Sequence, residues 1–210
     1  MTDFLAGLSD SRLLAIIRGT DRDASIRAAV ALVDEGVRHL EVSLNTPDAI
    51  DVIAAVRREV GDRATVGAGT VLTVDDAERV AAAGGQFVVT PAVSASVAAA
   101  VQLQLPVIAG ALTPTEVFTA MDQGATGIKL FPASLGGPRY LSALRDPFPL
   151  IPFVPVGGVD EAAAADYLAR GAVAVGVGSP LVGDSASGGD LAELRLRARR
   201  YLELAAAVAG

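Results

Sequence analysis

The sequence has few or none of several residue types that often carry protein chemistry. It contains no cysteine and no tryptophan, and only one histidine and one lysine beside sixteen arginines. The absence of cysteine excludes disulfide bonds, thiolate metal sites and a cysteine nucleophile, and it suits a reducing compartment. The single histidine, His39, stands between Arg38 and Leu40 at the start of a predicted strand. We expect it to be structural or merely exposed rather than to serve a metal site or a catalytic triad.

The chain also lacks excess positive charge and long apolar segments. Its formal net charge is -7, whereas nucleic-acid binding requires a basic face. No apolar run reaches the roughly 18 residues of a membrane span. Residues 1–10 lack the charged and apolar regions of a signal peptide. We therefore expect a cytoplasmic protein without nucleic-acid or membrane partners.

The single lysine, Lys129, lies in the apolar segment 125–134. A lysine amine can lose its proton and become a nucleophile, whereas an arginine guanidinium stays charged. The other sixteen lysine or arginine positions are all arginine. We therefore interpret Lys129 as a residue retained for its chemistry.

Short β-branched runs alternate with longer alanine-rich amphipathic runs along the whole chain. This alternation predicts a parallel sheet covered by helices. The predicted strands are 12–18, 39–44, 65–67, 86–90, 106–109, 127–130, 152–156 and 173–177. The predicted helices are 23–35, 48–60, 73–83, 94–104, 114–123, 138–144, 161–170 and 190–208.

Eight strand–helix units are the number that closes a (β/α)₈ barrel. The connections are too short for a second domain, so we predict one α/β barrel domain over residues 1–210, with a short N-terminal helix. An open doubly wound sheet fits less well, because no Gly-x-Gly-x-x-Gly follows the first strand and eight units are many for that fold. The polar segment 183–189 is predicted to be a mobile loop before the last helix.

The carboxyl ends of barrel strands build the active site. Arg18 ends the first predicted strand, Glu41 lies in the second, Thr70 follows the third and Lys129 lies in the sixth. A cation, a carboxylate, a hydroxyl and an amine are therefore expected to converge. Other roles are open: Glu41 could form an internal salt bridge with Arg18 or Lys129, Arg18 could pair at the rim, and Thr70 could cap the next helix.

These groups suit Schiff-base chemistry. A neutral lysine amine attacks a ketone and forms an iminium, which stabilises a carbanion at the adjacent carbon. Aldol cleavage also requires a proton shuttle at the hydroxyl being cleaved, which Glu41 could supply. Arg18 offers a bidentate fork for the carboxylate of a 2-oxo acid.

Two glycine-containing turns follow the last two predicted strands. Gly157 and Gly158 follow the seventh strand, and Gly178 and Ser179 follow the eighth. Barrels often bind phosphate there through backbone amides. A Gly-Gly pair also serves as an ordinary turn, but its place in the eight-unit count favours a phosphate site.

Together these residues resemble the small class I aldolases that cleave 2-keto-3-deoxy-6-phosphosugar acids. The resemblance extends from the first strand to the eighth. Its most specific part is the combination of Gly-Ala-Gly-Thr-Val-Leu (67–72) with Lys-Leu-Phe-Pro (129–132). The other matching stretches are 17–19, 40–42, 89–91, 156–159 and 178–179.

The resemblance implies that Lys129 forms the Schiff base and that Glu41 is the general acid/base. It places Arg18 and Thr70 near the carboxylate of pyruvate. It also implies pyruvate and glyceraldehyde 3-phosphate as products, no metal or cofactor, and a homotrimer. The remaining implied positions are Pro91 and Phe131 in the pocket wall, with Gly157, Gly158, Gly178 and Ser179 in the phosphate-binding turns.

Two substrate positions separate the branches of this family. The phosphogluconate branch typically has arginine at the position of Asn45 and threonine at that of Val156. Segments 44–47, 131–134 and 137–140 are more similar to the phosphogalactonate branch. We therefore expect cleavage of 2-dehydro-3-deoxy-6-phosphogalactonate, with the gluconate epimer as the alternative, and weak binding of non-phosphorylated dicarboxylates.

Two other functions fit a barrel with these residues. A phosphosugar isomerase or decarboxylase would use Lys129 as a charged acid, but such decarboxylases need carboxylates close to the lysine, and segment 123–145 contains none. A non-catalytic phosphosugar-binding barrel would leave Lys129 and Glu41 without a shared purpose.

Overall fold

The protein folds as an eight-stranded parallel barrel, seen here in a computed structural model that describes residues 2–207, with side chains from residue 4. The first seven strands pair successively along the chain, and the eighth pairs with the first. The seventh and eighth strands meet only through one parallel bridge, between Val156 and Gly176, so the barrel is nearly closed. The predicted (β/α)₈ architecture is confirmed.

The strands are short and lie close to their predicted positions. They are β1 Leu13–Ile17, β2 His39–Ser43, β3 Thr65–Gly69, β4 Val88–Val89, β5 Val107–Ala111, β6 Gly127–Leu130, β7 Phe153–Pro155 and β8 Val175–Val177. The described residues form ten α-helices: α1 Thr2–Ser11, α2 Arg22–Asp34, α3 Ala49–Val60, α4 Val74–Ala82, α5 Ala95–Gln102, α6 Pro114–Asp122, α7 Gly137–Arg145, α8 Glu161–Ala169, α9 Ser179–Val182 and α10 Leu191–Ala207. The part of the chain described here has no helix that is both long and apolar enough to cross a membrane.

The N-terminal helix is present as predicted, whereas α9 was not predicted because a four-residue helix carries no periodic pattern. The last helix was predicted to reach residue 208, which lies outside the described residues. Two helices begin with a capping box that the sequence encodes locally. Thr73 and Asp76 cap α4, and Thr113 and Glu116 cap α6, so backbone amides at both helix starts have side-chain acceptors.

Side chains of the strands alternate between two apolar layers. Leu13, Ala15 and Ile17 of β1 join the large core between the strands and the helices. Leu14 and Ile16 join a smaller cluster with residues from α1, β4, β5 and β7 and their flanking positions, and this cluster fills the barrel interior. The period of two follows from strand geometry. It explains why both faces of the strands are apolar, as is usual for buried parallel sheets.

Glycines of the interior make room for larger neighbours on the adjacent strand. A Cβ on Gly67 would lie 2.6 Å from the ring of Phe87, and one on Gly176 would lie 2.5 Å from a methyl group of Val156. Real carbon contacts are about 3.5–4.0 Å. Both glycines are therefore required by packing.

Helix α1 closes the amino-terminal end of the barrel. Phe4 stacks on Phe87 with ring centroids 4.8 Å apart and meets the His39 ring edge-on at 5.8 Å. Nδ1 of His39 lies 2.8 Å from Oγ of Ser11. His39 is 4% exposed, and burial, assisted by the charge of Arg38, lowers its pKa to about 4. The predicted structural role of this histidine agrees with its position far from the carboxyl ends of the strands.

The low pKa of His39 predicts a pH-dependent stability. Between pH 6.5 and about 4 the unfolded chain binds a proton that the folded protein does not, so the unfolding free energy should fall by up to roughly 3 kcal/mol as the pH drops through this range. His39→Asn keeps a polar atom near Ser11 but does not titrate. Urea unfolding at pH 7 and pH 4.5 should show a smaller loss for the variant, and an equal loss would contradict this assignment.

Candidate active site

A cavity of about 480 Å³ opens at the carboxyl ends of the strands. Ligand pockets commonly have volumes of about 300–1,000 Å³. Every residue expected in the site except Glu41 lines this cavity, namely Arg18, Asn45, Thr70, Pro91, Lys129, Phe131, Val156, Gly157, Gly158, Gly178 and Ser179. The chain order of the strands thus brings residues more than a hundred positions apart into one site.

Lys129 projects into the barrel interior from β6. Its strand neighbours Ile128 and Leu130 belong to the outer core, so the alternation directs Lys129 inward. It is only 4% exposed, and its Nζ lies 5.1 Å from the centroid of the Phe131 ring, within cation–π range. A surface role for this lysine is excluded by its burial. It is placed so that only a molecule inside the cavity can reach its amine.

Glu41 projects inward from β2, on the wall opposite β6 in the strand order. It is fully buried, and neither carboxylate oxygen has a hydrogen-bond partner among the described residues. The internal salt bridge with Arg18 or Lys129 is therefore not formed, although both cations act on its charge. Burial raises the pKa of Glu41 above its usual value, and the charges of Lys129 and Arg18 partly oppose this shift. A raised pKa makes the carboxylate of Glu41 a stronger base.

Arg18 and Thr70 lie at the mouth of the cavity. Arg18 is exposed and forms no salt bridge within residues 4–207, so its guanidinium is free to bind an anion. Thr70 has φ 61°, which is unusual for a β-branched residue. Its Oγ1 lies 3.0 Å from Oγ of the buried Ser43. The next helix is capped by Thr73 rather than by Thr70, so the capping alternative for Thr70 is wrong.

The turn after β7 approaches the segment after β6. Gly157 and Gly158 have φ of 95° and 73°, a conformation that glycine adopts without strain. A Cβ on Gly157 would lie 3.1 Å from the Phe131 ring, and one on Gly158 would lie 2.7 Å from Cβ of Ser134. Both glycines are therefore required for the chain to pass this close, and their backbone forms one side of the cavity.

The segment 183–189 is packed against the first strand end, whereas we predicted a mobile loop. It contains a 3₁₀ turn, Ser185–Ser187, in which Ser185 and Ala186 are buried. Oγ of Ser187 accepts a hydrogen bond of 3.0 Å from the Thr20 amide. The Ala186 carbonyl lies against the Cα of Gly19, where no side chain would fit. These contacts hold the backbone next to Arg18.

Several cavity residues were not predicted from the sequence. Ile16 lies two positions before Arg18 and could have been found from the period of two along β1. Pro180, Val182 and Gly183 follow the predicted Ser179 and belong to α9 and its end. Ser43 affects the site indirectly, because its Oγ lies 3.0 Å from Oγ1 of the cavity residue Thr70. No local sequence pattern indicates this contact. Within the described residues no group of three or more His, Cys, Asp or Glu side chains could hold a metal ion.

Comparison with known proteins identifies relatives of this chain. A family model for KDPG and KHG aldolases matches residues 6–195. The 2-dehydro-3-deoxy-6-phosphogalactonate aldolase of Escherichia coli K12 is 37% identical over 171 residues, which are 80% of this chain and 83% of the relative. The 2-dehydro-3-deoxy-phosphogluconate aldolase of Treponema pallidum is 34% identical over 207 residues, 97% of this chain and 98% of the relative.

A solved structure of similar fold contains a covalent intermediate. The KDPG aldolase of Legionella pneumophila, with pyruvate captured as a covalent carbinolamine, superposes with a TM-score of 0.82 at 29% identity. The match covers 97% of each chain.

Proposed function

Because the chain belongs to the KDPG and KHG aldolase family, we propose that it is a class I aldolase that cleaves 2-dehydro-3-deoxy-6-phosphogalactonate to pyruvate and glyceraldehyde 3-phosphate. The single observation that carries the proposal is the placement of Lys129 and Glu41. A buried amine and a buried, unpartnered carboxyl group enter the barrel interior from opposite walls. A carbon–carbon lyase needs this pair, and a non-catalytic barrel does not.

Lys129 begins the proposed reaction as the nucleophile. Its neutral amine attacks the C2 ketone of the substrate, and loss of water from the carbinolamine gives a protonated imine. Low exposure of Lys129 keeps bulk water from the amine. The carboxylate next to C2 is bound by Arg18, whose exposed guanidinium can form two parallel hydrogen bonds with it, and by the hydroxyl of Thr70.

Glu41 transfers the proton that bond cleavage requires. The C4 hydroxyl loses its proton to Glu41 as the C3–C4 bond breaks, and the electron pair moves into the imine to form an enamine. Glyceraldehyde 3-phosphate leaves. Protonation of C3 and addition of water to C2 then release pyruvate and regenerate the amine. Burial raises the pKa of Glu41, which makes its carboxylate a stronger base for the C4 hydroxyl proton.

The phosphate binds in the proposed complex at the turns containing Gly157, Gly158, Gly178 and Ser179. All four residues line the cavity, and their backbone amides can surround an anion without a cationic side chain.

The chemistry needs no cofactor. A cytoplasmic location and a homotrimer stay predictions, and light scattering tests the second: a mass three times the 21.2 kDa of one chain supports it, and a monomer mass contradicts it.

Initial rates on the two epimeric phosphosugar acids test the proposed substrate. Pyruvate release can be followed by coupling to lactate dehydrogenase. Phosphogalactonate specificity predicts a kcat/KM at least about 10-fold higher for the 6-phosphogalactonate acid than for its gluconate epimer, a difference of about 1.4 kcal/mol in transition-state binding. Preference for the gluconate epimer would identify the second candidate substrate, for which the relative from Treponema pallidum is named.

Asn45 predicts discrimination against non-phosphorylated dicarboxylates. It is exposed and lines the cavity, and a neutral amide binds a second carboxylate less strongly than a guanidinium does. We expect 4-hydroxy-2-oxoglutarate to be a poor substrate and Asn45→Arg to raise its kcat/KM by about 10-fold. A kcat/KM of the wild-type protein comparable to that for the phosphosugar would contradict this role.

A further inference from the structure

The carboxyl group of Glu41 lies directly against the Cα of Gly69 on the neighbouring strand. The register pairs Glu41 with Gly67 and Ser43 with Gly69, so Gly69 is the next inward position toward the cavity. A Cβ on Gly69 would lie 2.6 Å from Cγ of Glu41 and closer still to Cδ and Oε1. The end of the Glu41 side chain therefore occupies the volume that any side chain at position 69 would fill.

Among residues 4–207 no group forms a hydrogen bond with this carboxyl group. Glu41 is fully buried, and both of its carboxylate oxygens are without hydrogen-bond partners among the described residues. A glutamate has several staggered rotamers, and hydrogen bonds usually select one of them at a buried site. Here the selection must come from packing, and the bare Cα of Gly69 forms the slot that admits the carboxyl group.

The backbone itself does not require glycine at this position. Gly69 is the last residue of the extended strand β3 and is not among the glycines with positive φ, unlike Gly157 and Gly158. An alanine could adopt this backbone conformation. Its methyl group would collide with the far end of a flexible side chain rather than with the backbone. The main expected consequence of a side chain is a displaced Glu41, with the strand intact.

We propose that Gly69 is a positioning residue for Glu41, whose carboxyl group it seats beside the reacting C4 hydroxyl of the substrate. This inference rests on the proposed aldolase function. It extends the site by a residue that contributes no functional group and does not line the cavity. It also gives a physical reason for glycine at the end of β3, immediately before Thr70.

A Gly69→Ala variant separates turnover from Schiff-base formation. A misplacement of about 1 Å can cost roughly 100-fold in rate, so we expect kcat to fall 10- to 100-fold. Reductive trapping of pyruvate on Lys129 should stay within about 3-fold of the wild-type yield, because Lys129 is on β6, three strands away from Gly69. Gly7→Ala is the matched control. Its Cβ would meet its nearest atom at 3.5 Å, an ordinary contact, and turnover should not change.

A double-mutant cycle tests whether Gly69 acts through Glu41. In the Glu41→Gln background, Gly69→Ala should lower turnover by no more than about 2-fold, because the group that it displaces has already lost its function. A 10- to 100-fold loss in that background would overturn the proposal. Unchanged turnover in Gly69→Ala alone, or loss of trapping together with turnover, would overturn it as well.

A second variant covers the case in which Gly69→Ala does not fold. Gly69→Ala with Glu41→Asp removes one methylene group and makes room for the new methyl group, so it should fold and trap pyruvate. If it does not fold either, the slot is not specific to Glu41 and the proposal is wrong. Failure of the aldolase function itself would appear differently, as a wild-type protein that forms no adduct with pyruvate.

Discussion

A Lys129→Arg variant is expected to lose at least about 10⁴-fold in turnover, since loss of a covalent nucleophile typically costs several orders of magnitude. Arginine keeps the positive charge inside the barrel but cannot provide a neutral amine. Lys129→Met removes the charge and keeps a similar length, and it should be equally inactive. The measurement is pyruvate release under saturating substrate. Residual activity in the arginine variant within 10-fold of the wild type would mean that Lys129 acts as a charge only.

The sequence offers a matched control for this experiment. Lys129 is the only lysine, so any other lysine must be introduced. Arg58→Lys places an amine at an exposed position of α3. In the Lys129→Arg background it should restore neither turnover nor trapping. Restoration of trapping would show that a surface amine is sufficient and that burial in the barrel is not required.

The second large effect is expected from Glu41→Gln. General acid–base catalysis contributes typically 10²–10⁴-fold, and we expect kcat to fall by about that factor. Reductive trapping of pyruvate should fall much less, because the amine of Lys129 remains. Equal losses of turnover and trapping would show that Glu41 only positions or tunes the lysine.

The same substitution should raise stability at neutral pH. The pKa of Glu41 is raised above 4.5 by burial, so between pH 4.5 and this raised pKa the folded protein binds a proton that the unfolded chain releases. The unfolding free energy of the wild type therefore falls as the pH rises through the folded pKa. Glu41→Gln removes this dependence. The difference in unfolding free energy between the variant and the wild type should therefore be larger at pH 8 than at pH 4.5, in favour of the variant. A gap in unfolding free energy that stays constant with pH would contradict the raised pKa.

The fold could be predicted from the sequence because its signals are local. Short β-branched runs alternating with alanine-rich amphipathic runs mark the units one by one, and eight units leave few alternatives to a barrel. The errors, in contrast, have a cause that is not local in sequence. Strand β4 has two residues instead of the predicted five, and β3 extends to Gly69, because strand ends depend on the neighbouring strand.

The candidate site could be predicted only as far as the strand ends. Because the carboxyl ends of parallel strands share one edge, Arg18, Thr70 and Lys129 could be placed together. The lack of a hydrogen-bond partner for Glu41 and the contact of its carboxyl group with Gly69 depend on side-chain positions across two strands, which no local pattern encodes. The packing of Ala186 on Gly19 was missed for the same reason, as these residues are far apart in sequence.

The central claim is that the amine of Lys129 forms a covalent imine with pyruvate. Its most direct test is incubation of the protein with pyruvate, reduction with borohydride and measurement of the intact mass, followed by mapping of the modified peptide. We predict one adduct per chain on Lys129 in the wild type and none in Lys129→Arg. A wild-type protein without an adduct, or an adduct that persists in Lys129→Arg, would contradict the account.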